Sequence, residues 1–292
     1  MEVAITGSSG LIGSSLREHL SGAGHRVRRV VRSGDGEVHW DPDSGTIDRA
    51  ALDGVDAIVH LAGAGIAENR WTDKQKARIR SSRTRSTSLL AETIASLDPM
   101  PRLLSGSAVG FYGDTGDRLT DETGPNGDDF LAGVVRDWEA AAAPAIDAGA
   151  SVAFLRSGVV MSTKGGFLHQ VLPFFKAALG GRSKSGRQYI SWISIVDEVR
   201  AIEHLLSASV TGPVNLVAPN PATNTELTKK LGAVLHRPTT IIPMIGPRLL
   251  MGRELADSLL LVSQRIDDGV LRGEGFTFEH PTLDDAFADL LA

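Results

Sequence analysis

The sequence predicts an α/β fold, a doubly wound parallel sheet followed by a smaller C-terminal α/β region, on three observations. Short apolar runs alternate with helical patterns through the first half of the chain. One of them, Ala57 to Leu61, is a continuous apolar run, as a strand covered on both faces should be. Between successive runs lies enough chain for a helical crossover, which parallel strands need and hairpins do not.

The elements follow in order. Glu2 to Thr6 is an apolar run ending in a glycine-rich turn, and Leu11 to Ala23 reads as a helix stopped by Gly24, where a left-handed residue is wanted. Arg26 to Val31 is the next strand. Asp41-Pro42-Asp43-Ser44-Gly45 has the composition of a tight turn between Glu37–Trp40 and Thr46-Ile47, so a small hairpin is expected. Ala57 to Leu61 is a strand. Thr72 to Leu97 is a long helix ended by Asp98-Pro99, and Leu103 to Ser107 is a strand. Phe130 to Ala148 reads as one helix closed by Gly149, and Val152 to Leu155 as the strand after it.

Beyond Gly165 the pattern changes. A helix from Phe167 to Leu179 leads to a glycine-rich loop, then a strand from Tyr189 to Ile195 and a helix from Asp197 to Ser207 with Asp197 as its N-cap. Pro213 to Val217 is a strand and Thr225 to Leu235 a helix. The tail alternates apolar helix with Gly275-Phe276-Thr277-Phe278. The expected division is 1–165 and 166–292, with some strands and helices interleaved.

Composition excludes several functions. Hydrophobic residues make up 42% and charged residues 22% of the 292, an ordinary globular balance. The net charge is −5 with no basic run, which argues against a nucleic-acid partner. No apolar stretch reaches the roughly 18 residues of a membrane span. There is no cysteine, hence no disulfide, thiolate nucleophile or cysteine zinc site. No His-x-His or His-Glu-x-x-His occurs, so no metal site is expected. The Gly-x-Ser-x-Gly elbow and the Walker lysine are missing too. With no basic leader, a cytoplasmic protein is expected.

The strongest motif is Thr6-Gly7-Ser8-Ser9-Gly10-Leu11-Ile12-Gly13, placed between a strand and a helix. Gly7 permits the sharp turn, Gly10 leaves the backbone open to a pyrophosphate, and Gly13 lets the helix pack closely on the strand. The free amides at the helix start face the anion. This is a Rossmann dinucleotide turn. An NAD site wants an acid about 20 residues past the glycines. Here Arg32 stands there, followed by Ser33, and a guanidinium suits a 2′-phosphate, so the expected cofactor is NADP(H). Arg28 and Arg29 are expected to add to its field. His60-Leu61-Ala62-Gly63-Ala64-Gly65 ends the third parallel strand. Its small residues let Leu61, Ala62 and Gly63 approach the adenosine half, while His60 is expected to be a packed strand residue.

These residues resemble the extended short-chain dehydrogenase/reductase family, the nucleotide-sugar epimerase group. Besides the glycine turn, the resemblance rests on Leu61-Ala62-Gly63, on Ser105-Gly106-Ser107-Ala108 with Tyr112-Gly113, on Leu155-Arg156-Ser157-Gly158-Val159, and on Trp192 to Asp197, all in the family's order. Trp40-Asp41-Pro42, Arg70-Trp71-Thr72, Ser82-Arg83, Asp137-Trp138-Glu139 and Leu271 to Phe278 are similar to an atypical branch, often called epimerase family protein, with a C-terminal domain of unknown function. The resemblance implies that Ser105 and Gly158 belong to the cofactor site. It also raises a homodimer through the helices 72–97 and 130–148, which the sequence alone leaves open.

One departure stands out. The family's catalyst is a Tyr with a Lys four residues on, so that both share a helix face and the cation lowers the phenol pKa. Neither Tyr112 nor Tyr189, the two tyrosines present, has that Lys, and alignment on Trp138-Glu139 places Leu131 and Val135 at the pair's positions. The assisting hydroxyl survives as Ser107.

The candidate catalytic residues are therefore Ser107 and Tyr112, the latter as a replacement acid or as an aromatic wall. Arg83 is a candidate for the cofactor phosphates, and Arg70-Trp71 for the substrate mouth. Asp121-Glu122 read as solvated or capping acids. Gly180 to Gln188, with three cations among glycines, is either a clamp for an anionic substrate or a mobile hairpin. Two functions stay open: an NADP(H)-dependent oxidoreductase acting on an unknown small molecule, with Ser107 polarising the substrate oxygen, and a non-catalytic NADP(H) sensor. A nucleotide-sugar epimerase is the third.

Overall fold

A computed structural model describes residues 1–292. Its strands are β1 (Glu2–Thr6), β2 (Arg26–Val31), β3 (Val38–Asp41), β4 (Thr46–Ile47), β5 (Ala57–His60), β6 (Arg102–Ala108), β7 (Val152–Ser157), β8 (Val159–Met161), β9 (Gly181–Ser183), β10 (Tyr189–Ile190), β11 (Trp192–Ser194), β12 (Gly212–Leu216), β13 (Ala222–Thr223) and β14 (Thr240–Ile242). Its helices are α1 (Leu11–Gly22), α2 (Asp73–Ile94), α3 (Phe130–Ala140), α4 (Ala143–Asp147), α5 (Gly166–Lys176), α6 (Ile195–Ser207), α7 (Asn224–Val234), α8 (Ile245–Met251), α9 (Arg253–Leu260), α10 (Gly269–Gly273) and α11 (Leu283–Leu290).

The main sheet has eight strands in the order β12-β7-β6-β5-β1-β2-β3-β4. Every neighbouring pair is parallel except β3 with β4, the expected hairpin. Alternate residues of β1 go to opposite faces, as strand geometry dictates. Val3 and Ile5 pack with Leu16 and Leu20 of α1 and with Val199, Ile202 and Leu205 of α6. Ala4 packs on the other face with Leu90 and Ile94 of α2 and Ala145 of α4. The sheet is thus covered on both sides, and Val3, Ala4 and Ile5 are all fully buried whichever face they take.

The C-terminal region has its own core, in which Trp192, Leu168, Leu172, Leu227 and Phe287 meet. The division at 165/166 does not divide the structure cleanly. α6 and β12 come from beyond it and return to the main sheet, where β12 pairs with β7 as its edge strand. The apolar Val214 and Leu216 find full burial only there.

Three sequence readings are corrected. The expected helix 130–148 is two, because Pro144 in the first turn of α4 has no amide for the α3 ladder and its ring crowds the preceding turn. The expected strand 189–195 splits at Ser191: β10 pairs antiparallel with β13, and β11 pairs parallel with β8. The N-cap of α6 is Ser194, whose hydroxyl accepts from the Asp197 amide at 3.0 Å. Asp197 is instead fully buried, and its carboxylate accepts the backbone N–H of Glu279 and of His280 at 2.8 Å each, tying the tail to α6.

Candidate active site

The C-terminal ends of β1, β5 and β6 lie side by side in the sheet, the edge at which open α/β sheets bind ligands. At the end of β1, Gly7 takes φ +65°, and a Cβ there would lie 2.8 Å from the Leu61 carbonyl carbon. A Cβ on Gly13 would lie 2.2 Å from the Gly7 carbonyl oxygen. Both positions therefore demand glycine. Gly10 differs: its Cβ would meet only the Gly7 oxygen, at 3.3 Å, so its freedom is left over for a ligand. Helix α1 has no side-chain cap and no acid in its first turn. Its leading amides are unspent and suit an anion. Ser9 and Gly10 are exposed, Ser8 is buried, and Leu11 and Ile12 are half-buried. The donors and the side-chain-free cradle at Gly10 together fit a pyrophosphate.

Thr6 and His60 hold the strand ends together. The Thr6 hydroxyl accepts from the amides of Leu61 at 3.0 Å and Ala62 at 3.1 Å. Its own proton is then free for His60 Nδ1, 2.7 Å away. Ser86 spends its proton on the Ser82 carbonyl, 2.7 Å away, so His60 Nε2 donates to the Ser86 hydroxyl at 3.1 Å. This assigns the Nε2–H tautomer. Burial, helped by the nearby Arg83 charge, pushes the His60 pKa down to about 3. His60 is a neutral packed residue, as expected.

Arg83 lies beneath the same segment. Its Nη1 donates to the carbonyls of Ala64 at 2.9 Å and Ile79 at 3.0 Å, and its guanidinium stacks on Trp138 with 5.1 Å to the ring centroid. Burial lowers its pKa to about 10, against the opposing charge of Glu68. A Cβ on Gly63 would sit 3.3 Å from its Cζ, so Gly63 makes room for the guanidinium. Arg83 props up the 61–65 backbone, with its Nη1 already spent on carbonyls.

At the end of β2, Arg28 is held by Glu2 and by the Ala51 and Asp53 carbonyls, and Arg29 by Glu37. Neither is free to add to a phosphate field, contrary to expectation. Arg32 and Ser33 are exposed, and no carboxylate lies within ion-pair distance of Arg32.

At the end of β6, the Ser107 hydroxyl donates to Glu139 Oε1 at 2.6 Å. Glu139, on α3, receives a two-pronged clamp from Arg156 on β7: Nε to Oε1 at 2.8 Å and Nη2 to Oε2 at 2.9 Å. Arg156 is 3% exposed and stacks on Phe111 at 3.6 Å. Burial works against its cation, but the bonds and charge of Glu139 outweigh it, and its pKa lies above the ordinary value. Arg156 Nη1 reaches the Tyr112 hydroxyl at 2.8 Å, and Tyr112 donates to Asn215 Oδ1 at 2.7 Å.

Tyr112 therefore cannot serve as the replacement acid. It is 3% exposed, its hydroxyl is engaged on both sides, and burial raises its pKa further. Glu122 is not a solvated acid either: it is half-buried, and its Oε1 accepts the Asn215 amide at 3.0 Å. Ser105 is fully buried, with only a long bond to the Gly106 carbonyl, and has no surface to offer a ligand. Gly158 is accounted for by packing, since a Cβ there would lie 2.6 Å from the Ser191 oxygen. In the 180–188 loop, Arg182 turns onto the loop's own carbonyls at Lys184 and Ser185. Trp71 packs edge to face with Phe130, ring centroids 4.9 Å apart, and donates to the Ile66 carbonyl at 2.8 Å.

Glu139 and Arg156 are the residues that sequence reasoning missed. Both carried a signal. Glu139 lies one helical turn beyond Val135, on the face where the Tyr and Lys would stand. Arg156 is a charge inside an apolar strand, and such charges are almost always paired.

Residues 3–218 match the NAD dependent epimerase/dehydratase family. The chain belongs to that family. Residues 242–290 match a further family, a domain of unknown function (DUF1731). An epimerase family protein of Mycobacterium bovis is 45% identical over 97% of this chain and 95% of its own length. Human epimerase family protein SDR39U1 is 35% identical over the whole of both chains. The crystal structure of that human protein (isoform 2) with NADPH superposes with a TM-score of 0.91 at 33% identity, covering 99% of each chain. A nucleoside-diphosphate sugar epimerase from Corynebacterium glutamicum gives a TM-score of 0.82 at 39% identity, over all of this chain and 58% of that one. Leu131 and Val135 stand where the Tyr and Lys pair would be sought, and Glu139, one helical turn further on, is the residue that meets Ser107.

Proposed function

We propose that the protein binds NADP(H) across the glycine turn and acts as an oxidoreductase on a small carbonyl or hydroxyl compound. The observation that carries the reading is the Ser107–Glu139 pair, with Arg156 fixing the carboxylate. The amides of the 7–13 turn would hold the pyrophosphate, Arg32 and Ser33 the 2′-phosphate, and the 61–63 backbone the nucleoside. The human relative crystallised with NADPH supports this choice of cofactor. When bound, the nicotinamide supplies or accepts the hydride.

The protein's own part is the proton. Ser107 gives its hydrogen to Glu139, which leaves its oxygen lone pairs for a substrate hydroxyl. In the oxidising direction the substrate proton passes to Ser107 Oγ as the serine's own proton passes to Glu139. In the reducing direction both transfers reverse, and the carbonyl oxygen is protonated as hydride arrives. Arg156 keeps the carboxylate oriented for both directions.

The test is a fluorescence titration with NADPH and NADH, followed by a reductase screen. NADPH binds more tightly than NADH, and Arg32→Asp reverses or flattens the difference. Ser107→Ala and Glu139→Gln each lower turnover by about 10²–10⁴-fold, the usual worth of positioned acid–base groups, while NADPH affinity holds. Equal affinity for both cofactors in the unmodified protein would refute the Arg32 assignment. The sealed Tyr112 favours a second reading, a non-catalytic NADP(H) sensor, for which the screen finds NADPH binding but no turnover that Ser107→Ala could remove.

A further inference from the structure

Charge is unevenly placed along the chain. Residues 148–196 and 227–253 contain no Asp or Glu but eleven Lys and Arg, in a protein whose net charge is −5. Of those eleven only Arg156 is buried. The same two segments carry seven of the twelve large apolar side chains that stand exposed. Folding brings the segments together. β9 from the first pairs in parallel with β14 from the second, with Arg182 opposite Ile241. Arg237 Nε donates to the Lys176 carbonyl at 2.9 Å, and Gln188 donates to the Leu260 carbonyl, at the end of α9, at 2.7 Å.

The apolar side chains protrude from this face. α8 follows β14 after two residues, and none of its own residues is buried. Ile245, Leu249 and Leu250 are 69, 70 and 73% exposed. Ile241 on β14 and Phe174 and Leu179, which lead into β9, are exposed as well. Scattered apolar residues on a surface are ordinary, whereas a group of them marks contact with something other than water. Set among them, Lys176, Arg182, Lys184, Arg187 and Arg237 form no ion pair with any acid. The acids at the border are spent: Asp257 on Arg248 and Arg253, Glu254 on Lys76, Asp284 on Lys230, and Glu226 on the cap of α7.

The occupant of such a face is apolar and anionic together. A second copy seated on it symmetrically would set these cations against themselves. Lysine is also depleted at protein–protein interfaces, whereas Leu and Phe beside Lys and Arg are the composition of elements that lie on a bilayer. No helix of the protein is long and apolar enough to cross a membrane, so the contact is with its surface. We infer that the face built by residues 174–187 and 237–253 docks on an anionic lipid bilayer. The α8 leucines enter the boundary between headgroups and acyl chains, and the unpaired cations lie over the negative headgroups.

Flotation of the full chain with lipid vesicles tests it. Vesicles of phosphatidylcholine with about one-third phosphatidylserine are compared with vesicles of phosphatidylcholine alone, at low and at high salt. The protein floats with the anionic vesicles and far less with the neutral ones, and salt releases it. L249S/L250S and K184E/R187E each weaken the binding by about tenfold or more. All four side chains are exposed, so both double variants keep the unfolding temperature of the unmodified protein. Ile146→Ser, at an exposed isoleucine of α4, leaves the binding as it is. Absence of flotation with the anionic vesicles, or flotation that either double variant leaves unchanged, overturns the inference. So does a dimer, seen by sedimentation without lipid, that L249S/L250S dissolves, because the leucines then belong to a second copy.

Discussion

The Thr6 hydroxyl takes two backbone amides from the end of β5 and gives its proton to a neutral histidine. One oxygen thus fixes the spacing between the glycine turn and the 61–65 segment, the two walls a nucleotide would lie between. Thr6→Val keeps the shape and removes the hydroxyl, stranding two amides and a ring nitrogen in the interior. Each stranded group costs about 1–3 kcal/mol, so urea unfolding should show a loss well beyond that of a surface substitution. Thr6→Ser keeps the hydroxyl and should retain most of the stability. Near-equal stability of Thr6→Val and Thr6→Ser would mean that the hydroxyl does not carry the contact. Arg156 acts at the same scale: its Nε and Nη2 each hold one oxygen of the Glu139 carboxylate and fix its orientation.

Helix α1 shows how packing overrides propensity. Alanine is the better helix former by about 1 kcal/mol over glycine, and α1 contains Gly13 and Gly22. At Gly22 a Cβ would meet nothing within 4 Å, whereas at Gly13 it would meet the Gly7 oxygen at 2.2 Å. Gly22→Ala is therefore expected to raise the unfolding temperature slightly. Gly13→Ala is expected to lower stability by about 1–3 kcal/mol, the cost of overpacking, and to weaken NADPH binding by displacing the turn. Thermal unfolding of both variants checks the pair, and a stabilised Gly13→Ala would contradict the close approach. The break between α3 and α4 has the same character: one Pro144 outweighs an otherwise continuous helical pattern.

Two buried titratable groups act on the whole molecule in opposite senses. His60 has its pKa pushed from 6.5 down to about 3 by burial. The unfolded chain binds the extra proton between those values, so this contribution rises with pH across that window and is lost as pH falls. Glu198 is fully buried, accepts from Ser157 at 2.6 Å and has its other oxygen unpartnered. Burial raises its pKa from 4.5 to about 7. There the folded state binds the extra proton, so its contribution falls as pH rises from 4.5 to 7. The two offset each other between pH 4.5 and 6.5. In Glu198→Gln only the rising limb remains, so the variant should gain on the unmodified protein from about pH 4.5 to 7 and then run parallel to it. Unfolding temperatures measured at intervals of pH give the difference directly, and a constant offset would remove Glu198 from the balance.

The sequence by itself determined the parallel sheet, the glycine turn and the place of Arg32. Each is a local matter: short apolar runs alternating with helical patterns, and glycines at positions where a side chain has no room. It also placed Ser107 at a strand end. Only the tertiary structure decided what those residues meet. Glu139 and Arg156 lie 17 positions apart and become partners across α3 and β7. Tyr112, a plausible acid when read along the chain, is sealed between Arg156 and Asn215. Asp197, read as a cap, binds amides 82 and 83 residues away. The physical reason is common to all three. Backbone conformation is set largely by neighbours in sequence, whereas the burial and charge partners that decide a side chain's chemistry come from segments that only folding brings together.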